Sequence, residues 1–102
     1  MTAHSLSSAV AVKVGIPAFK EYAYYIGSNE AKFAFRQVYL EDDNDRCFKL
    51  MCEHNVTVHL SAALGFARCY ARGTKDIEEK YSDYPSEAAA TRHAILKCIL
   101  EI

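Results

Sequence analysis

The chain has no apolar run approaching a membrane span, only four glycines, no tryptophan and almost no net charge, its 12 basic and 13 acidic side chains leaving −1. Each scarcity argues against a class of function. Crossing a bilayer takes a helix of about 20 apolar residues, and none is present in the sequence. Nonspecific phosphate binding needs surplus positive charge, so nucleic acid is disfavoured as a partner; an acidic surface imitating DNA is disfavoured for the opposite reason. Glycines at 15, 27, 65 and 73 compose neither a dinucleotide-binding nor a P-loop fingerprint, and no Gly-x-Ser-x-Gly elbow frames a nucleophile. The expectation is a protein that is not an enzyme and takes no cofactor.

The start "MTAHSLSSAV" lacks the basic residues and apolar centre of a secretion signal, which points to the cytoplasm. Cys47, Cys52, Cys69 and Cys98 are therefore expected as reduced thiols. With 102 residues, 51% apolar and 25% charged, the composition is that of one globular domain with a single core.

Leu6, Ala9, Val10 and Val14 have helical spacing, with Ser5 as N-cap and Gly15 as stop, although "VAVKV" would also suit a strand. "AFKEYAYYI" carries three tyrosines with no clean period and reads as a loop or short helix. Asn29 can cap a helix from Glu30, placing Ala31, Ala34, Phe35 and Val38 on one face. Phe33 and Leu40 then fall opposite, beside Arg36 and Gln37, where an isolated helix keeps polar groups. "EDDND" reads as an acidic loop ending that helix.

Phe48, Leu50 and Cys52 alternate along one stretch and Val56, Val58 and Leu60 along the next, with Glu53 to Asn55 as the turn. A β-hairpin is expected, and "GFARCYARG" can add a third antiparallel strand. A helical reading of 60 to 72 competes, but it puts Gly65 in its interior at about 1 kcal/mol and leaves the alternation unexplained. Ser86 can cap a final helix with Ala88, Ile95, Ile99 and Ile102 on one face and His93, Lys97 and Glu101 on the other, Lys97 and Glu101 being spaced as an ion pair. The expected layout is helices over about 5–40, sheet over about 46–72 and a C-terminal helix over about 86–101.

In the third strand Ala67, Cys69 and Ala71 offer a small-residue face for that helix, and Phe66, Arg68, Tyr70 and Arg72 face the other way. The arginines either lie over the sheet and pair with Asp76, Glu78 or Glu79, or join Tyr70 in binding another protein. No metal is expected: Cys47, Cys52 and His54 have no second close pair, and on a hairpin the two thiols point apart. The stretch from Asp42 to Glu53 has EF-hand length but carries Arg46 at a ligand position and Cys47 where Gly is required. Arg92, near the apolar side of the last helix, reads as a packed stem with its guanidinium in solvent.

Three segments, "AVAVKVGI", "IGSNEAKFAFRQVYLE" and "YPSEAAATRHAILKCILEI", resemble parts of small phage and prophage proteins of the phage ABA-sandwich domain type. The resemblance implies an α+β fold, a small αβα sandwich with N-terminal helices, a three-stranded antiparallel sheet and a C-terminal helix. It also implies that an N-terminal helix lies over part of the Phe66 and Tyr70 face. Functionally it implies a phage accessory protein. The reading is a noncatalytic chain that binds a host or phage protein, in concrete form an inhibitor of a bacterial defence complex, as an anti-CRISPR is. The alternatives are a homo-oligomeric assembly protein associating through Phe33 and Leu40, and a nucleic-acid-binding regulator using Arg36, Arg68 and Arg72. The candidate partner-binding residues are thus Phe33, Arg36, Leu40, Arg68, Tyr70 and Arg72.

Overall fold

A computed structural model describes residues 4–26 and 33–102. In chain order it contains α1 (Ser5–Val14), β1 (Phe19–Tyr25), β2 (Phe33–Tyr39), a 3-10 turn (Leu40–Asp42), α2 (Asn44–Glu53), β3 (Thr57–Ser61), β4 (Phe66–Tyr70), β5 (Ile77–Lys80), a second 3-10 turn (Tyr81–Asp83) and α3 (Glu87–Leu100). The class is α+β, with a three-stranded antiparallel sheet ordered β3-β4-β5 and a separate β1-β2 ribbon.

α3 forms as its sequence suggests. Ser86 accepts the Ala89 N–H at 3.1 Å, satisfying one of the donors that every helix start leaves unpaired. One side of α3 lies on β4, whose Ala67 and Cys69 are fully buried and let the helix approach closely. Its other side receives α1 and α2. The helix is therefore the middle of the core, and its buried residues run almost all the way round: Ala89, Ala90, Ala94, Ile95, Leu96, Cys98 and Ile99. This corrects the one-faced reading, since Ala88 and Ile102 are exposed, while His93 and Lys97 are partly covered. Lys97 pairs with Glu79 of β5 at 2.6 Å, across elements rather than along the helix to Glu101.

α1 ends at Gly15, which takes a left-handed φ of 74°. Its N-cap position belongs to His4, not Ser5. Ser7, fully buried, donates its N–H to Glu41 Oε1 at 2.9 Å while its Oγ accepts the Glu41 N–H at 3.0 Å, pinning α1 to the first 3-10 turn.

Three segments depart from the expected layout. Residues 33–39 form a strand paired with 19–25, in a register running from Phe19↔Tyr39 to Tyr25↔Phe33; the proposed cap and first turn at Asn29 and Glu30 lie outside the described residues. Phenylalanine, valine and tyrosine favour the pleat, and the tyrosine-rich 19–25 supplies the partner. Residues 44–53 form a helix instead of the first hairpin strand, because Asp43 caps it by accepting the Arg46 N–H at 3.1 Å and Cys47, Leu50 and Met51 then fall on one side. The third strand of the sheet is β5, Ile77–Lys80, which pairs with β4. The competing helix through 60 to 72 is absent, and Gly65, with φ 74°, closes the β3-β4 loop.

Nor does an N-terminal helix cover the second face of this sheet: α1 and α2 pack on α3 instead. The layers run sheet, α3, then α1 with α2, and the face bearing Phe66, Arg68 and Tyr70 is partly open to water.

Candidate functional site

Three surfaces can engage another molecule, and the fold positions each differently. The first is the outer face of the β3-β4-β5 sheet. Register places His59 opposite Arg68 and Arg68 opposite Glu78. The Arg68 guanidinium bonds Glu78 Oε1 at 3.0 Å, lies 3.9 Å from Asp76 and stands 5.3 Å from the Phe66 ring centre. Tyr70 stacks on His59, with the hydroxyl 3.3 Å from the imidazole Nε2. Arg68 and Tyr70 are thus held by neighbours within the sheet, the first of the two readings of this strand. Arg72 lies exposed in the turn that Gly73 completes with a φ of 82°.

The second surface is the ribbon. β1 and β2 pair with each other and join the body at their base, where Leu40 N–H donates to Ala18 O at 3.0 Å, Tyr39 stacks on His4 at 3.7 Å and Tyr22 donates its hydroxyl to Asp43 at 2.9 Å. The same bond, which the phenol can donate only while it keeps its proton, pushes the Tyr22 phenol upward. Farther out, Tyr24 is exposed and Phe35 is 70% exposed. Arg36, exposed and opposite Tyr22, shares its face of the ribbon with Tyr24, whereas Phe35 stands on the other face.

The third surface is an apolar groove of about 530 Å³ between α2, β3 and α3. Phe48, 63% exposed, and Leu60, 64% exposed, flank it, with Met51, Val58, Ala88 and Ile95 on its walls. The hairpin reading of 46 to 60 hid this groove. Its signal was present in Asp43: once a helix starts there, Phe48 falls away from Cys47 and Leu50 and stands outside the core.

The sequence candidates therefore separate. Leu40 is 0% exposed, locked into the core with its carbonyl accepting the Cys47 thiol at 3.0 Å, so it contacts no partner. That removes the oligomer surface built on Phe33 and Leu40; of Phe33 only the backbone position at the head of β2 is described. Arg36 sits on the ribbon, whereas Arg68, Tyr70 and Arg72 belong to the other sheet or its following turn, and among the described residues no hydrogen bond, ion pair or ring contact joins the two sets. Arg92, read as reaching solvent, donates Nε to Glu41 O at 2.6 Å and a second nitrogen to Asn44 Oδ1 at 2.7 Å, tying α3 to the start of α2.

His93, assigned from sequence to a polar face, is partly buried against Tyr84, with its Nε2 3.8 Å from Glu41. His4 approaches the same carboxylate at 3.8 Å. Even so, no group of three His, Cys, Asp or Glu side chains among the described residues is arranged to hold a metal ion. Cys47 and Cys69 are buried, and burial pushes both thiols up to about 12, which keeps them protonated and non-nucleophilic near neutrality. Cys52 is exposed. Among the described residues no helix is long and apolar enough to cross a membrane.

Compared with protein-family models, with curated proteins and with solved structures, the chain matches none.

Proposed function

We propose that this chain is a noncatalytic protein-binding domain whose β1-β2 ribbon is the recognition arm. The observation that carries the reading is the ribbon itself. A two-stranded sheet is marginal alone in water, yet this one holds Tyr24 and Phe35 out in solvent. Tyr24 shares one face with Arg36 and Phe35 occupies the other, and aromatic and arginine side chains are the residue types that dominate binding energy when a partner covers them. Arg36, among the candidates read from sequence, belongs to this arm.

In the phage setting that the resemblance implies, a domain of this size acts stoichiometrically in the bacterial cytoplasm, occupying a surface of a host or phage protein. Inhibition of a defence complex is the form to test first. Phe35→p-benzoylphenylalanine, expressed in bacteria carrying such complexes and irradiated, should yield a discrete heavier adduct that excess unmodified chain suppresses. Lys75→p-benzoylphenylalanine, in the exposed turn before β5, should not. A folded position-35 protein that gives no adduct in any such host overturns the arm.

A further inference from the structure

We infer that the free edge of β3 is a self-association surface, joining two copies by antiparallel β3-β3 pairing into one six-stranded sheet. This is independent of the recognition arm, which lies on the other sheet.

The two edges of the β3-β4-β5 sheet are differently equipped. β5 reads Ile-Glu-Glu-Lys, and three charges in four residues are what edge strands use to discourage further pairing. β3 reads Thr-Val-His-Leu-Ser, with neither a carboxylate, an ammonium group nor a proline to block a neighbour. Beside it stand exposed apolar side chains: Phe48 and Leu60 at the groove, and Leu64 in the following loop at 71% exposure.

A second β3 fits this edge by its own pattern. Paired about a two-fold axis at His59, Val58 of each copy stands opposite Leu60 of the other, and both belong to the face that carries Ala67 and Cys69. Each Leu60 then drops beside the partner's groove, lined by Phe48 and Met51, and the two α3 helices lie on the same side of the joined sheet. Covering Phe48 and Leu60 removes on the order of 250 Å² per copy, and the backbone edge with Thr57, His59 and Ser61 brings the total over both copies toward the roughly 1,000 Å² that a specific interface needs.

Sedimentation equilibrium from about 5 to 500 µM tests the pairing, the expected species having twice the 11.4 kDa chain mass. Leu60→Lys should raise the dissociation constant about tenfold or more while leaving the circular dichroism unchanged, because the side chain is already largely exposed. Glu78→Gln on the opposite edge should leave it unaltered. Register is read separately: in a Cys52→Ser background, His59→Cys should form an intermolecular disulfide under mild oxidation, the two Cα atoms being about 5 Å apart. Glu78→Cys should not. A chain that stays monomeric throughout the range, or a dimer indifferent to Leu60→Lys and uncrosslinked at position 59, overturns the inference.

Discussion

Raising the pH should unfold this protein through its buried thiols. Cys47 and Cys69 keep their protons in the folded chain to about pH 12, because burial penalises the thiolate. In the unfolded chain both ionise near the ordinary value of 9.0. Between these limits the unfolded state binds fewer protons than the folded one, so stability is fully present below 9 and is lost as pH rises toward 12. Each thiol contributes about 1.4 kcal/mol per pH unit, and the pair about 3 kcal/mol per unit. Burial also raises Cys98, the hydrogen bond to Glu79 raises Lys97, and burial with the bond to Glu79 raises Tyr84, all of which add to the same trend. The pair can remove about 8–9 kcal/mol by pH 12, so a native state in the lower half of the usual range of about 5–15 kcal/mol should fail about two to three units above pH 9. Urea midpoints measured at pH 8, 9.5 and 10.5 give the slope. In Cys47→Ala/Cys69→Ala the starting stability falls because the core loses two sulfurs, but the slope above pH 9 should drop by about half or more. An unchanged slope in that variant would show that the thiols do not govern alkaline unfolding.

Two further outcomes follow from burial. Leu96, fully buried in α3, should cost about 2–5 kcal/mol as Leu96→Ala, whereas Phe48→Ala, on the open groove, should change monomer stability by about 0.5 kcal/mol or less; chemical denaturation in the dilute monomer distinguishes them. Of the four cysteines only Cys52 is exposed, so Ellman's reagent at pH 8 should titrate one thiol rapidly and the other three only upon unfolding; a second fast thiol would contradict the burial of Cys47, Cys69 and Cys98.

The parts of the fold legible in the sequence are those where two independent signals agree. For β4, strict alternation between two glycines placed Ala67 and Cys69 inward and Arg68 outward, and a pair with Glu78 or Asp76 could be anticipated from proximity along the chain. For α3, Ser86 and the run of alanines and isoleucines left little room for anything else. Where one signal stood alone, it misled. Residues 44–53 fit both a strand and a helix by hydrophobic spacing, and Asp43, the residue that decides between them, was absorbed into an acidic loop. Residues 33–39 carried helical spacing, but their aromatic and branched residues and a tyrosine-rich partner segment prefer the pleat. β5 hides for another reason: Glu79 points inward, against any binary pattern, and is acceptable there because Lys97 and Tyr84 bond its two oxygens at 2.6 and 2.9 Å. Lys97, on a different element well down the chain, leaves no local trace.

The candidate surfaces follow from how the chain distributes its apolar residues. α3 is enclosed by the sheet on one side and by α1 and α2 on the other, so the interior is organised around one helix. Ala67, Cys69 and Ala71 contribute to that interior; Tyr24 and Phe35 do not. β1 and β2 therefore have main-chain pairing but little apolar cover, and β3, at the margin of α3, leaves Leu60 and Phe48 only half enclosed. The two surfaces have separate origins: the ribbon is exposed because residues 33–39 pair with β1 and not with the core, and the β3 edge is open because β3 ends the β3-β4-β5 sheet.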